Sequence, residues 1–262
     1  QRNNYRKEFV NDHILPMGAA IWSTTAKEMK DYPAQAFIKF FDSHGLLKVR
    51  CRPNWRTVDG GSREYVSRLT ASFRHLVRYV GVRSISRRDG GVLIEDARGG
   101  ISGYDHVIVA THADQALKLL IDSDDVEKRL LGGWRYTMNR AVLHCDPSLM
   151  PKRKRTWSSW NFMGDESGSA GHRLFLTYWM NRLQSLDFEC PLFVSLNPTS
   201  EPRAGLALRE FEYDHPCFDN QALAAQAKLD KLQGRRNTWF CGSYFGAGFH
   251  EDALQSGLVV AE

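Results

Sequence analysis

The final stretch, Thr238-Trp-Phe-Cys-Gly-Ser-Tyr-Phe-Gly-Ala-Gly-Phe-His-Glu-Asp-Ala-Leu-Gln-Ser-Gly-Leu-Val-Val-Ala-Glu262, constrains the fold most. It reads as a strand, a glycine-rich turn and a helix. Thr238 to Cys241 is apolar and β-prone. Gly242, Gly246 and Gly248 let the backbone turn sharply and approach a ligand closely. Glu251 and Asp252 fall where a helix begins, where carboxylates suit the positive end of its dipole. Leu254, Leu258 and Ala261 then repeat at helical spacing, and the small Ser256 and Gly257 allow tight packing on that face. The first N–H groups of such a helix suit a phosphate or a carbonyl oxygen. An ordinary strand-to-helix connection has the same spacing, so the pattern alone leaves both readings open.

The 262 residues suffice for one large or two modest domains with a core. At 42% hydrophobic and 25% charged residues, composition is that of a globular protein. No run approaches the roughly 18 apolar residues of a membrane span. There is no signal peptide, the first residue is Gln1, and Glu262 falls in mid-helix, so a piece of a longer chain is expected. The net charge of +5 gathers in clusters such as Lys152-Arg-Lys-Arg155 and Arg235-Arg236. With no nucleic-acid motif beside them, these read as solvated turns, though a dianionic cofactor or an acidic lipid headgroup can use such charge. The cysteines are Cys51, Cys145, Cys190, Cys217 and Cys241, with no C-x-x-C pair. They imply reduced thiols in a cytoplasmic protein. A zinc site is not expected, because His250-Glu251 lacks the second histidine of a zincin motif, position 254 being Leu.

Residues 1 to 50 read as helical. Ser23 is expected to cap a short helix through Met29, and Asp31 with Pro33 to open another whose apolar face holds Phe37, Phe40 and Phe41. His44-Gly45 closes it. Ser62 caps a helix to about Phe73, with Tyr65, Val66, Leu69 and Phe73 as its buried stripe. From Leu76 the pattern turns to strands, with turns at Asp89-Gly90-Gly91 and Arg98-Gly99-Gly100. The run Tyr104 to Ala110 is expected to be a strand buried on both faces, followed by a helix over Thr111 to Leu120. Residues 134 to 213 form a β-rich layer. Its strands are Ala141–Cys145, Thr156–Phe162, Leu174–Met180, Leu192–Leu196 and Leu208–Tyr213, with turns at Asp146-Pro147, Gly168 to Gly171 and Asn197-Pro198. Trp157, Trp160, Tyr178 and Trp179 serve as core or as an apolar pocket wall. Asp219 caps a helix through Leu232, which Gly234 ends.

Gly242-Ser-Tyr-Phe-Gly-Ala-Gly-Phe-His-Glu-Asp-Ala-Leu-Gln-Ser-Gly257 resembles the C-terminal flavin-binding segment of FAD-dependent amine oxidases and related desaturases. More widely, the chain resembles a bacterial group described as predicted NAD/FAD-binding, amine-oxidase-like proteins. Leu15-Pro-Met-Gly-Ala-Ala-Ile-Trp-Ser23, Trp55-Arg-Thr-Val-Asp-Gly-Gly-Ser-Arg-Glu-Tyr-Val66 and Tyr178-Trp-Met-Asn-Arg-Leu-Gln184 carry it beside the terminal segment. The resemblance implies a mixed α/β fold: the C-terminal part of an amine-oxidase-like FAD-binding fold with an antiparallel-sheet substrate domain. It implies helical substrate-domain residues 1–51, an FAD-domain portion at 52–116, a β-rich substrate domain at 117–235 and a return to the FAD domain at 236–262. It places Gly60 and Gly61 beside the cofactor, Val82 at the adenine through its main chain, and Ala110-Thr111 near the phosphates. Gly242, Ser243, Gly248, Glu251, Asp252, Ala253 and Leu254 would line the flavin.

Two features depart from that family. No G-x-G-x-x-G occurs, since Gly242-x-x-x-Gly246-x-Gly248 has the wrong spacing. In the family that motif precedes everything present here. Many relatives also carry an acidic residue where Ser243 stands, and serine brings no charge. The leading expectation is an FAD-dependent oxidoreductase, incomplete in this chain, whose flavin takes a hydride from a small hydrophobic or amine substrate. No catalytic acid or base is assigned; His250 is the residue to test. The alternatives are a non-catalytic piece without flavin and a lipid-associated binding module without redox activity. Nucleic acid is not expected as a partner, whereas self-association through an exposed sheet face is.

Overall fold

The computed structural model describes residues 5–25, 28–48, 50–51, 54, 56–73, 75, 79–164 and 174–262. The chain begins with α1 (Lys7–Phe9), a π turn at Val10–Ile14, α2 (Leu15–Trp22), α3 (Ala34–Ser43) and α4 (Arg63–Thr70). Strands β1 (Val82–Arg88), β2 (Gly91–Asp96), β3 (Ile101–Tyr104) and β4 (Val107–Val109) follow, then α5 (Ala113–Leu119) and α6 (Asp125–Leu131). Next come β5 (Arg135–His144), β6 (Trp160–Gly164), β7 (Leu174–Trp179), α7 (Met180–Leu183), β8 (Phe193–Leu196) and β9 (Ala207–Cys217). The chain closes with α8 (Asn220–Gln226), β10 (Thr238–Phe240) and α9 (His250–Ala261). Trp55, the segment 76–78 and the expected turn at 168–171 lie outside the described residues.

The chain divides into two compact units, residues 1–73 with 137–215 and residues 74–136 with 216–262. Residues 117–136 and 216–235, read from the sequence with the antiparallel sheet, therefore pack with the segments around β4 and β10. Residues 52–73 belong with the antiparallel sheet.

In the first unit, Trp22 on α2 packs against Tyr32, with ring centroids 4.4 Å apart, and against Phe40 of α3 at 4.9 Å. Ser23 does not open a helix. It takes a left-handed φ of 50° and ends α2, while the Thr24 N–H donates to Ala19 O at 3.0 Å. The α3 helix is amphipathic as read, with Phe40 and Phe41 buried. The expected buried stripe of α4 is instead exposed, Leu69 by 62% and Phe73 by 58%, and Ser62 makes no side-chain cap. Periodicity gave the helix but not a cover for its face; none lies over it among the described residues.

The sheet of this unit has the order β6-β7-β8-β5-β9. Its antiparallel pairing sets Asn161 against Thr177, Thr177 against Ser195 and His144 against Phe193. Trp157 packs edge-on against Trp179 at 5.4 Å and against Phe193 at 5.6 Å, and Trp160 against Tyr178 at 5.5 Å. These aromatics thus contribute cross-sheet pairs.

In the second unit, β1, β2 and β3 form an antiparallel meander with a tight turn at Asp89-Gly90. The α5 helix lies along β1, where the Ile121 N–H donates to Ile85 O at 3.2 Å. Asp124 caps α6 through the N–H groups of Val126 and Glu127. Arg87, its side chain only 1% exposed, reaches from β1 to Asp122 at 2.7 Å and to Glu127 at 2.8 Å. Burial alone would disfavour the charged guanidinium, but Glu127 and Asp122 outweigh that and hold it charged. Arg236 closes on the same Asp122, and Arg235 on Asp124.

The β10 strand pairs with β4 in parallel, Thr238 opposite Val107 and Phe240 opposite Val109. The terminal strand and the apolar run near residue 107 therefore share one sheet, as the sequence reading required. The expectation that β4 is covered on both faces does not hold: Val107 and Val109 are buried, but Ile108 is 54% exposed. Nothing among the described residues covers that face of the two-stranded sheet.

Candidate functional site

The site is built where the parallel pair ends. Gln233 brackets the outer edge of β10, its side-chain amide donating to Phe240 O at 2.7 Å and accepting from Phe240 N–H at 2.9 Å. A neighbouring strand would make the same two bonds. On the inner edge the Cys241 N–H donates to Val109 O at 3.2 Å, which carries the pairing one step past β10. Both strands point their C-terminal ends the same way, and ligands of parallel sheets bind beyond such ends.

Gly242 then turns the chain with φ 154° and ψ 169°, a region essentially restricted to glycine. A Cβ there would stand 2.7 Å from the Tyr244 ring and 3.3 Å from Thr111 O. This places Ala110-Thr111, at the end of β4, directly beside Gly242. The Gly242 N–H donates to Ser256 Oγ at 2.9 Å, and Ser256 Oγ donates to Ala253 O at 2.8 Å. The small Ser256 thus clamps α9 onto the turn. Gln226 of α8 fixes the loop by donating to the carbonyls of Tyr244 at 2.8 Å and Gly246 at 2.7 Å.

The other two glycines are required by the chain itself. A Cβ on Gly246 would collide with the Asp252 carboxylate, and one on Gly248, whose φ is +98°, with the Phe218 ring. Asp252 in turn accepts the Phe249 N–H at 2.9 Å, which makes it a cap of α9. Glu251 is exposed and accepts from Gln255 at 2.7 Å. The Ala253 N–H donates back to Phe249 O at 3.2 Å and is the first satisfied by the helix, with Leu254 one position further on. The N–H of Glu251 is thus a first-turn donor that the helix's own carbonyls leave unpaired, while that of Asp252 is turned to the Phe249 side chain in the capping box. Gly257 differs from the other glycines, since its Cβ position meets open space.

Ser243 opens the short helical turn after Gly242, half-buried. Val82 stands at the start of β1, on the antiparallel meander of the same unit. Gly60 and Gly61 form a turn with φ of 81° and 85° in the first unit, before α4. His250 begins α9 and is exposed.

Sequence reasoning missed three neighbours of this edge. Tyr136 donates no charge but accepts the Ala113 N–H at 3.0 Å, so its hydroxyl caps α5 from another element. Its ring stacks on His112 at 4.6 Å. Tyr244 is buried with its hydroxyl unpartnered among the described residues, and Trp134 packs edge-on to it at 5.9 Å. Burial pushes the Tyr136 phenol up to about 12, an effect the Ala113 bond opposes, and raises Tyr244 further. Both phenols stay protonated at neutral pH. No local sequence signal marks these residues, because their partners lie far away in the chain.

A second polar cluster has the residue types of a serine nucleophile but not its wiring. His144 Nε2 lies 2.8 Å from Ser195 Oγ, which lies 2.7 Å from Thr177 Oγ1. His144 Nδ1 accepts the Asp146 N–H at 3.1 Å, so Nε2 carries the proton and donates to Ser195. A general base needs the opposite tautomer. The Asp146 carboxylate pairs with Arg203 at 2.9 Å. The cluster is structural. Among the described residues no group of three histidines, cysteines or carboxylates is placed to hold a metal, and no helix is long and apolar enough to cross a membrane.

No family model and no curated protein matches the chain. Its likeness is to solved structures. A conjugated-linoleic-acid-producing fatty acid isomerase from P. acnes matches with a TM-score of 0.65 at 16% identity, over 95% of this chain and 62% of that one. Putrescine oxidase bound to putrescine matches at 0.61 and 12%, over 95% and 64%. Cyclohexylamine oxidase from Brevibacterium oxydans matches at 0.59 and 11%, over 99% and 64%. The chain has the fold of these amine-oxidase-like flavoenzymes and spans less than two-thirds of their length.

Proposed function

We propose that this chain is part of an FAD-dependent oxidoreductase of the amine-oxidase or desaturase type. The observation that carries the reading is the meeting of Ala110-Thr111, Gly242-Ser243 and the start of α9 at the C-terminal edge of the β4–β10 pair. The donor set there fits an oxygen-rich or carbonyl-bearing group: the N–H of Glu251 and the Ser243 hydroxyl. Gly242, Gly246 and Gly248 shape the turn against Tyr244, Asp252 and Phe218, and leave the holding of the group to the backbone.

When bound, FAD supplies acceptance of a hydride, from a carbon next to nitrogen or from a saturated carbon. The residues of this chain position and polarise. The positive end of α9 stabilises negative charge developing near its first turn. Ser243 donates or accepts one hydrogen bond there. The protonated phenols of Tyr136 and Tyr244 are excluded as bases at neutral pH. His250, exposed at the head of α9, is the side chain to test for proton handling. The substrate class is a small hydrophobic molecule or an amine.

A visible absorption spectrum of the purified full-length protein tests the reading. Oxidised-flavin bands that bleach when an amine or a fatty acyl substrate is added anaerobically are the expected result. A colourless full-length protein that does not take up FAD would overturn it.

A further inference from the structure

Segment 151–157 and loop 184–190 both belong to the first unit. The segment lies between β5 and β6 and carries Lys152, Arg153, Lys154 and Arg155, all exposed. Trp157 anchors it. Its indole N–H donates to Pro151 O at 2.8 Å, and its backbone N–H to Lys154 O at 3.0 Å. The loop follows α7 and exposes Leu186 by 38% and Phe188 by 64%.

The α7 turn holds the two side by side. Arg182 Nη1 donates to Trp157 O at 2.9 Å. The adjacent Asn181 donates its side-chain amide to Phe188 O at 3.2 Å, and its own carbonyl accepts the Leu186 N–H at 3.0 Å. The basic and the apolar residues are thus rooted in adjoining backbones. Lys152, Arg153, Lys154, Arg155 and Arg182 join none of the ion pairs formed by the described residues. Asp187 and Glu189 on the apolar loop offset only part of their charge. A run of cations alone is an ordinary solvated turn, and single exposed apolar side chains are common. Together they match an anionic bilayer, where cations meet the headgroups and apolar side chains enter the boundary with the acyl chains. A nucleic acid duplex would use the charge but offer Leu186 and Phe188 no apolar phase.

We propose that this surface docks the protein on membranes rich in acidic lipids, with the cations on the headgroups and Leu186 and Phe188 inserted at the interface.

The test is co-sedimentation of the full-length protein with vesicles of phosphatidylcholine alone, and of phosphatidylcholine with about one-third phosphatidylglycerol. Binding to the anionic vesicles only, weakening as salt rises, is the expected result. Each cation near such a surface contributes about fivefold in partitioning, so Lys152→Ala with Lys154→Ala should weaken binding by about tenfold or more. Phe188→Ser should weaken it by roughly fivefold at unchanged charge. Arg98→Ala with Lys128→Ala removes the same charge from exposed positions of the second unit and should leave binding as it was. All the substituted side chains are exposed, so melting temperatures should stay at the wild-type value. No binding to anionic vesicles, equal binding to both kinds, or an equal loss in the Arg98 and Lys128 variant would each overturn the proposal. Wild-type binding by Phe188→Ser would overturn it too, and a DNA duplex held more tightly than the vesicles would reassign the surface to nucleic acid.

Discussion

His144 has both ring nitrogens committed in a fully buried position. Burial lowers its pKa, against the smaller opposing pull of Asp146. The unfolded chain titrates near about 6.5, so below that value the unfolded state holds the extra proton and stability falls as pH falls. Burial would raise Asp146, but its bonds from Arg203 and Ser148 together hold it well below the usual carboxylate range. That second contribution is complete above about pH 4 and is lost at lower pH. The urea midpoint should therefore decline in two steps on acidification, and His144→Gln should remove the upper step alone. Glu127→Ala should cost about 3–5 kcal/mol in urea unfolding, because it leaves the buried Arg87 charge short of its partner. Gly242→Ala and Gly257→Leu separate fold from ligand. The first meets Tyr244 and Thr111 O at a positive φ and should destabilise by about 1–3 kcal/mol. The second meets open space, so its melting temperature should hold while the flavin content of the full-length protein falls. Unchanged flavin content in Gly257→Leu would remove that face of α9 from the site. The glycine turn and the helix start at Glu251-Asp252 were legible because both act within a few residues. The Arg87 network and the Tyr136 cap were not, since each joins groups distant in sequence.

At the scale of elements, the parallel pair depends on what brackets it. Gln233 supplies both bonds at the outer edge of β10, and replacing it with Leu leaves the N–H and C=O of Phe240 without them. The expected loss is about 1–3 kcal/mol for an unsatisfied buried group, read as faster hydrogen exchange at Phe240 and Cys241. Exchange equal to wild type would show that the strand stands without its bracket. Helical periodicity placed α3 and α9 correctly, and alternation placed the five strands of the antiparallel sheet. What periodicity cannot report is the cover. The α4 stripe at Tyr65, Val66, Leu69 and Phe73 and the Ile108 face of β4 have the pattern of buried surface and are exposed. Ser23 shows the reverse error, since a capping residue type also serves where a helix ends.

At the scale of the whole molecule, the exposed Ile108, Leu254, Leu258 and Val259 belong to the unit that carries the candidate site. With no G-x-G-x-x-G in the chain, an anionic cofactor would lack the amide cradle of that motif. Charge-assisted hydrogen bonds contribute roughly 1.5–3 kcal/mol each, so the loss of two or three weakens binding by about a hundredfold to a millionfold. Residues 1–262 alone should therefore show no submicromolar FAD binding when flavin fluorescence is titrated, and sedimentation should show association that rises with concentration. Stoichiometric tight binding by this chain would show that the terminal segment suffices. The pairing of β4 with β10 also sets an order of events during synthesis. The described segments of the first unit are made by residue 215, whereas the second waits for β10 and α9 to leave the ribosome. Throughout that interval β4 carries an unpaired edge. The unit holding the candidate site is thus the later of the two to mature, open to chaperones and proteases until β10 and α9 have been made.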